Sequence, residues 1–131
     1  MSQDLPKLPE LLRTVQEFVD EITPQLEGRD KYHAMCASYL LDIVGRELEL
    51  GPRLDADEKS LLARFIDMES ELDLEQGYAT LARAIRSGSL DARWDELMSL
   101  LMQHVINKVR VTKPEHLHPM HREQVHSGGD A

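Results

Sequence analysis

The stretch that decides the fold runs from Asp91 to Thr112 and reads DARWDELMSLLMQHVINKVRVT. Its apolar residues recur every three or four positions, which is the spacing of an α-helix, and no part of it alternates like a β-strand. On a helical wheel they sweep an arc of about 240°, whereas an ordinary surface helix has an apolar stripe of ~100° or a little more. We therefore predict that this helix is the most enclosed element, either central in a helical bundle or shared across a homodimer interface.

The same helical periodicity fills the rest of the chain. We predict four further helices, over residues 8–23, 29–50, 55–66 and 73–88. Gly51 and Pro52 are expected to end the second, because glycine suits a left-handed cap and proline cannot continue a helix. Two capping-box pairs are expected to begin the third and fourth helices: Asp55 with Glu58, and Asp73 with Gln76.

The architecture follows from the short connections between these helices. Consecutive helices joined by short loops pack as antiparallel neighbours, so we expect an all-α, up-and-down bundle of four to five helices. Residues 1–113 are predicted to form this single domain. Residues 114–131 are rich in histidine and poor in apolar side chains, and we expect them to form a flexible tail.

Composition excludes several classes of function. The 131 residues include 15 Lys and Arg against 24 Asp and Glu, a net charge of −9, which argues against nucleic-acid binding. A single cysteine, Cys36, rules out an internal disulfide framework and indicates a reducing, cytoplasmic setting. The N-terminus does not resemble a signal peptide, and no apolar run approaches the ~20 residues of a membrane span. We therefore expect a soluble cytoplasmic protein that binds neither nucleic acid nor membrane.

Four segments together carry a family resemblance. They are RELELGP at 46–52, AIRSGSLD at 84–91, NKVRVTKP at 107–114, and EGR at 27–29 leading into YHA at 32–34. The chain resembles, over residues 4–117, a bacterial family of small helical proteins of unknown function. Members of that family are often encoded beside acyl-CoA dehydrogenases and aminoglycoside-phosphotransferase-like kinases. The resemblance implies an accessory protein of an acyl-CoA or phosphotransfer pathway and supplies no catalytic residue.

Four polar residues on the second and fifth predicted helices are candidates for ligand binding. Glu47 falls inside the apolar arc of its helix, so we expect it to be buried and paired with a cation or histidine of another helix. Lys108 continues the apolar row of the fifth helix, with His104 at its edge, while His33 flanks the second helix. Each also has a structural interpretation without a ligand. Glu47 would form a structural ion pair, and the ammonium of Lys108 would reach water. The histidines would be hydrogen-bonded in the core.

Two further groups are weaker candidates. Arg83, Arg86 and Arg93 cluster around the Gly88 turn and would suit a phosphate or coenzyme A group, although arginines in such places more often face solvent or pair with acids. His116, His118, His121 and His126, interspersed with acids, are the residue types that ligate metals. Because they lie outside the predicted bundle, adventitious binding of nickel or zinc is the competing interpretation.

No motif for catalysis or cofactor binding is present, so no cofactor is predicted. Two hypotheses for function remain. The first is a non-catalytic interaction module whose partner is another copy of the chain, through the fifth helix, or a different protein. The second is a small-ligand-binding protein or minor enzyme with a polar cleft between the second and fifth helices.

Overall fold

A computed structural model describes residues 5–68 and 73–122 of the chain, and every regular element within them is helical. The helices are α1 (Leu8–Ile22), α2 (Gly28–Leu62), α3 (Leu74–Arg86), α4 (Trp94–Thr112) and α5 (Pro119–Arg122). Single 3-10 turns occupy Thr23–Gln25, Asp91–Arg93 and Pro114–His116. The all-α fold predicted from the sequence is confirmed.

Helix ends in the second half of the chain follow the predicted signals. At the start of α3, the side chain of Asp73 accepts a hydrogen bond from the backbone of Gln76 at 2.8 Å, and Gln76 returns one to the Asp73 backbone N–H at 3.2 Å. Just beyond the end of α3, Gly88 has a φ of +80°, which a residue with a side chain rarely adopts. The sequence therefore located α3 correctly.

The predicted end of the second helix at Gly51 and Pro52 is wrong, because α2 continues through both residues to Leu62. Consequently Asp55 does not begin a helix, and Glu58 lies within α2. A proline inside a helix costs ~3 kcal/mol relative to alanine. Burying leucines such as Leu54 and Leu62 returns roughly 1.5–3 kcal/mol each, so tertiary packing of the second half of α2 offsets the cost of the proline.

Backbone contacts divide the chain into two compact units, residues 1–50 and 51–131. In unit 1, α1 and the first part of α2 lie antiparallel: Gln16 Nε2 donates to Asp42 Oδ1 at 2.7 Å, and Ser38 Oγ donates to Asp20 at 2.5 Å. Among the described residues of this unit, 5–50, none is buried. Polar contacts and half-buried side chains hold the pair of helices together.

Unit 2 contains the hydrophobic core. Its centre consists of five buried leucines: Leu62, Leu81, Leu90, Leu97 and Leu100. A Cβ added at Gly77 would lie 3.1 Å from Leu62 Cδ1, so this glycine allows α3 to approach α2 closely. Leu117 is also buried, at 7% exposure, so the first residues beyond position 113 pack against unit 2. The prediction of one domain over 1–113 followed by a flexible tail stays a prediction.

Helix α4 holds five buried residues, more than any other described helix, as its broad apolar arc predicts. A stripe on its outer side nevertheless stays exposed: Trp94, Met98, Met102 and Val105. Within the described residues, no helix combines the length and apolarity needed to cross a membrane.

Candidate functional site

A buried glutamate connects three helices of unit 2. Glu58 on α2 is only 6% exposed, and its Oε1 atom accepts a hydrogen bond from the Tyr78 hydroxyl on α3 at 2.7 Å. The same oxygen contacts Nδ1 of His104 on α4. The rings of Tyr78 and His104 stack with centroids 4.0 Å apart and planes tilted by 34°. The three side chains therefore form one network, which we call the Glu58 network.

Helical spacing explains why these polar side chains point inward. Glu58 lies four residues after Leu54 and four before Leu62, both of which are buried. His104 follows the buried Leu100 on α4 at the same spacing, and Tyr78 stands near Leu81 on α3. Positions four apart share a helix face, so each polar group projects from the apolar face of its own helix.

The electrostatics of the network keep each proton in a defined place. A carboxylate accepts hydrogen bonds and donates none, so both Tyr78 and His104 act as donors. Burial raises the pKa of Tyr78 above its ordinary value of 10.0, and the hydrogen bond to Glu58 and its charge raise it further, so the phenol stays protonated. Because Nδ1 of His104 faces Glu58, its Nε2 is the ring nitrogen left for other contacts.

A carboxylate that orients a histidine through Nδ1 is also part of many acid–base sites. The His104 side chain is 22% exposed, so its ring is accessible from one side. Among the described residues, however, no serine, threonine or cysteine side chain is hydrogen-bonded to His104. The arrangement binds three helices together and can hold a proton, but it lacks an activated nucleophile within the described residues.

The sequence predicted this kind of contact but named the wrong glutamate. Glu47 is exposed, so the prediction that it is buried and paired is wrong. Glu58 follows Glu47 by eleven residues on the same helix, but Glu47 belongs to unit 1 and Glu58 to unit 2. The predicted helix break at Pro52 concealed that both lie on α2, because it assigned the two glutamates to different helices.

The other ligand-binding candidates lie in different parts of the chain. Lys108 is exposed on α4 of unit 2, as expected for a lysine whose ammonium reaches water. His33 is exposed on α2 in unit 1, with its ring centroid 6.1 Å from that of Tyr32. Of the four candidates, only His104 belongs to the Glu58 network, and ligand binding by any of them stays a prediction.

The arginines around the Gly88 turn take different roles. Arg93 donates to the Arg64 carbonyl oxygen at 2.7 Å, forms an ion pair with Glu96 at 2.9 Å and lies 4.3 Å from the centroid of the Phe65 ring. Its side chain is thereby engaged in holding unit 2 together. Arg83 donates to the Thr80 hydroxyl at 3.1 Å, and Arg86 is exposed. Anion binding by this group stays a prediction.

The histidines beyond α4 are partly described. His118 and His121 lie with ring centroids 6.3 Å apart, and Nδ1 of His118 accepts a hydrogen bond from the Met120 backbone at 3.2 Å. His116 is exposed, and His126 lies outside the described residues. In the part of the chain that the structure describes, no three histidine, cysteine or acidic side chains are placed to hold one metal ion.

A second feature of unit 2 was not anticipated. A cavity of about 400 Å³ lies between α2 and α4 and is lined by Arg53, Leu54, Asp57, Ser60, Leu61, Arg64, Gln103, Asn107 and Arg110. The sequence does contain a signal for it. Its polar residues recur at intervals of three and four on both helices, which places each set on one face. We call this the arginine cavity.

Comparison with known proteins places the chain in a family without assigning it an activity. A search of curated proteins found no match, and a search of solved structures found none either. A family model described as a domain of unknown function, DUF6285, matches residues 24–116. That range includes α2, α3 and α4, and with them both the Glu58 network and the arginine cavity. Because the match covers well over half of its length, the chain belongs to the DUF6285 family.

Proposed function

We propose that this protein is a non-catalytic accessory module that acts by binding another protein, in the first place a second copy of itself. The observation that carries the proposal is the state of unit 1. None of its described residues is buried, yet both of its helices expose large apolar side chains. A pair of helices that buries so little is a poor independent unit, because helices in proteins gain most of their stability from packing an apolar face.

The exposed side chains of unit 1 lie mainly on one side of the helix pair. The hydrogen bonds of Gln16 and Ser38 define the sides on which α1 and α2 face each other. From that contact, a helical wheel for two antiparallel helices puts five exposed residues on the same flank and two more, Phe18 and Leu40, at its outer edges. They are Leu8, Leu11, Val15 and Phe18 of α1 with Leu40, Val44 and Leu48 of α2, and we call them the unit 1 apolar face.

The size of this face suits a dimer. The seven side chains are between 38% and 60% exposed. Seven side chains exposed to this extent present roughly 600 Å² of apolar surface together. This area is as large as the largest apolar patch of a typical monomer. A standard interface buries ~800 Å² per partner, of which the apolar centre is the larger part. Two copies related by a two-fold axis would bring the same face against itself and complete a four-helix arrangement.

A second surface is the one that the sequence predicted for a homodimer. The exposed stripe of α4 includes Trp94, which is 56% exposed, and Met98 and Met102. Aromatic residues and methionine are enriched in interfaces, and methionine side chains adapt readily to a partner. The α4 stripe is therefore the alternative dimer surface, or the surface that binds a different protein.

The Glu58 network agrees with a non-catalytic role. Glu58 is satisfied by two donors within unit 2, so its carboxylate is already engaged in holding three helices together. A carboxylate waiting for a substrate would instead retain an open acceptor facing a cleft. The setting that we propose for the module follows the family resemblance: the bacterial cytoplasm, beside enzymes of acyl-CoA or phosphotransfer metabolism.

Light scattering coupled to size-exclusion chromatography tests the proposal. The unaltered chain is expected to elute at twice its 15.0 kDa mass at micromolar concentration. Val15→Lys puts a charge in the centre of the unit 1 apolar face and should produce monomers. Glu17→Lys is the matched control, since it adds a lysine at an exposed position of α1 outside that face.

Met98→Lys distinguishes the two surfaces. If only Val15→Lys dissociates the dimer, the unit 1 apolar face is the interface. If only Met98→Lys dissociates the dimer, the α4 stripe is the interface. A chain that remains a 15.0 kDa monomer at every concentration contradicts self-association, and dissociation by Glu17→Lys contradicts the assignment to an apolar face.

The alternative function is a small-ligand-binding protein. The arginine cavity favours it, because it is a polar space large enough for a small molecule, although its α2 residues lie beyond position 50, where the predicted second helix ends. Its lining residues differ from the predicted ones.

A further inference from the structure

The arginine cavity is built from two polar stripes that face each other. Arg53, Asp57 and Ser60 follow one another along α2 at spacings of four and three residues, and Arg64 lies in the turn just after the end of α2. Gln103, Asn107 and Arg110 do the same along α4 at spacings of four and three. Helices that pack only to form a core place apolar residues at such positions. Two matched polar stripes around a space of about 400 Å³ therefore require a different explanation.

The amides at the base of the cavity are held in place. Asn107 is only 3% exposed, and its Oδ1 accepts a hydrogen bond from Gln103 Nε2 at 2.9 Å. A buried amide that is fixed by a neighbour keeps one orientation. The floor of the cavity is therefore preorganised, which reduces the entropy that a ligand must lose on binding.

The charges lining the cavity are not balanced. Three guanidinium groups meet a single carboxylate, that of Asp57. Neither Arg53 nor Arg110 forms a side-chain hydrogen bond or ion pair with any described residue, and the Nε atom of Arg110 is buried without a partner. Burial lowers the pKa of Arg110, and the nearby charge of Arg53 lowers it further. An unpaired cation held beside a like charge is costly, and a bound anion would relieve that cost.

We propose that the arginine cavity binds a small organic phosphate, with the guanidinium groups of Arg53, Arg64 and Arg110 around the phosphate oxygens. Guanidinium groups match the geometry of phosphate with paired N–H donors. Three cations and one carboxylate leave a charge of opposite sign to a phosphate monoester, which is close to a dianion at neutral pH. A volume of about 400 Å³ lies in the range of small-molecule sites and exceeds what a bare phosphate needs.

The rest of the ligand is apolar. A second cavity of about 410 Å³ adjoins the first and shares Leu61, Arg64 and Gln103 with it. Phe65 and Leu100 contribute apolar walls to this second space, and Glu96 and Ser99 contribute polar ones. A phosphate monoester with a hydrophobic substituent can therefore place its phosphate among the arginines and its substituent against Phe65.

Isothermal titration calorimetry of the full chain with phenyl phosphate and with inorganic phosphate tests this site. Phenyl phosphate is expected to bind one site per chain and more tightly than inorganic phosphate by about fivefold or more. Arg53→Gln and Arg110→Gln should each lower the affinity for phenyl phosphate by about tenfold or more. Arg13→Gln is the matched control, since it removes the same charge from an exposed arginine of α1 outside the cavity, and it should change the affinity by less than about twofold.

Thermal unfolding supplies the folding control. Without ligand, Arg110→Gln should melt no lower than the unaltered chain, because it removes an unpaired cation. With phenyl phosphate, only the unaltered chain and Arg13→Gln should melt at a higher temperature. Absence of saturable binding up to about 10 mM overturns the site. An equal loss of affinity with Arg13→Gln overturns it as well, and equal affinity for the two phosphates overturns the apolar half of the ligand.

Discussion

At the scale of single residues, Glu47 and Glu58 of α2 show how burial determines the contribution of a charged side chain to stability. Glu58 is 6% exposed and accepts hydrogen bonds from Tyr78 and His104, whereas Glu47 is exposed on the same helix. Removing one partner of a buried polar network strands the others in a poorly hydrated place. An exposed charge, in contrast, is solvated by water whether or not it has a partner.

Glu58→Ala should therefore destabilise the protein by about 3–5 kcal/mol. Glu47→Ala is the control on the same helix and should change the stability by less than ~0.5 kcal/mol. Urea denaturation followed by circular dichroism measures both. Equal midpoints for the two variants would show that the Glu58 network does not stabilise unit 2.

Tyr78 gives the network a dependence on pH. Its pKa is raised in the folded protein by burial and by Glu58, while an unfolded tyrosine loses its proton near pH 10. Below pH 10 both states are protonated and the hydrogen bond contributes fully. Above pH 10 the unfolded chain releases a proton that the folded chain keeps, so stability falls as pH rises.

Tyr78→Phe removes both the hydrogen bond and this pH dependence. At pH 7 it should cost about 1.5–3 kcal/mol, the value of a hydrogen bond to a charged group. The difference in unfolding free energy between the two proteins should then shrink as the pH rises above 10. A difference that stays constant from pH 7 to 11 would contradict a raised pKa for Tyr78.

At the scale of elements, α2 is the helix whose local sequence and tertiary structure disagree. Pro52 has no N–H to donate to the carbonyl of Leu48, and yet the helix continues for ten more residues to Leu62. The buried residues of α2, Gly51, Leu54, Glu58 and Leu62, all lie in the stretch from Gly51 onward. Packing in unit 2 thus maintains a helix that local preference would have ended.

Pro52→Ala should accordingly stabilise the protein, because it restores the missing donor and a good helix former. The gain is expected to be about 1–3 kcal/mol, up to the full difference between the two residues in a helix interior. Pro114→Ala is a suitable control, since Pro114 stands at the start of a 3-10 turn, where no donor is needed. A lower melting temperature for Pro52→Ala would mean that the proline stabilises a break in α2.

At the scale of the whole molecule, Leu117 is the one buried side chain among the described residues after α4, which are residues 113–122. Leu117 is 7% exposed, whereas Met120 in α5 is 60% exposed. Deleting residues 119–131 should therefore leave the melting temperature within a few degrees, as for other surface changes worth under ~0.5 kcal/mol.

Deletion of residues 117–131 is the matched comparison, because it also removes Leu117. The loss of unfolding free energy should approach the ~2–5 kcal/mol that truncation of a buried leucine to alanine costs. Differential scanning calorimetry of the two shortened chains measures the difference. Equal melting temperatures would show that Leu117 does not contribute to the stability of unit 2.

The sequence by itself determined the elements that depend on local interactions. The capping box of Asp73 and Gln76 forms within four residues, and the left-handed Gly88 just beyond the end of α3 needs no distant contact. The apolar arc likewise predicted a helix from about Asp91 to Thr112 with many buried side chains, and α4 runs from Trp94 to Thr112. Periodicity also predicted a buried glutamate on the second helix, but it named Glu47, which is exposed.

Tertiary structure alone decided which glutamate is buried and where α2 ends. Burial is a property of the neighbours that cover a side chain, and the neighbours of Glu58, Tyr78 and His104, come from distant parts of the chain. The arginine cavity is also tertiary: Arg53 and Arg110 are 57 positions apart, and only the packing of α2 against α4 brings them to one space. Local preference at Pro52 pointed to a break, and the free energy of burial beyond it outweighed that preference.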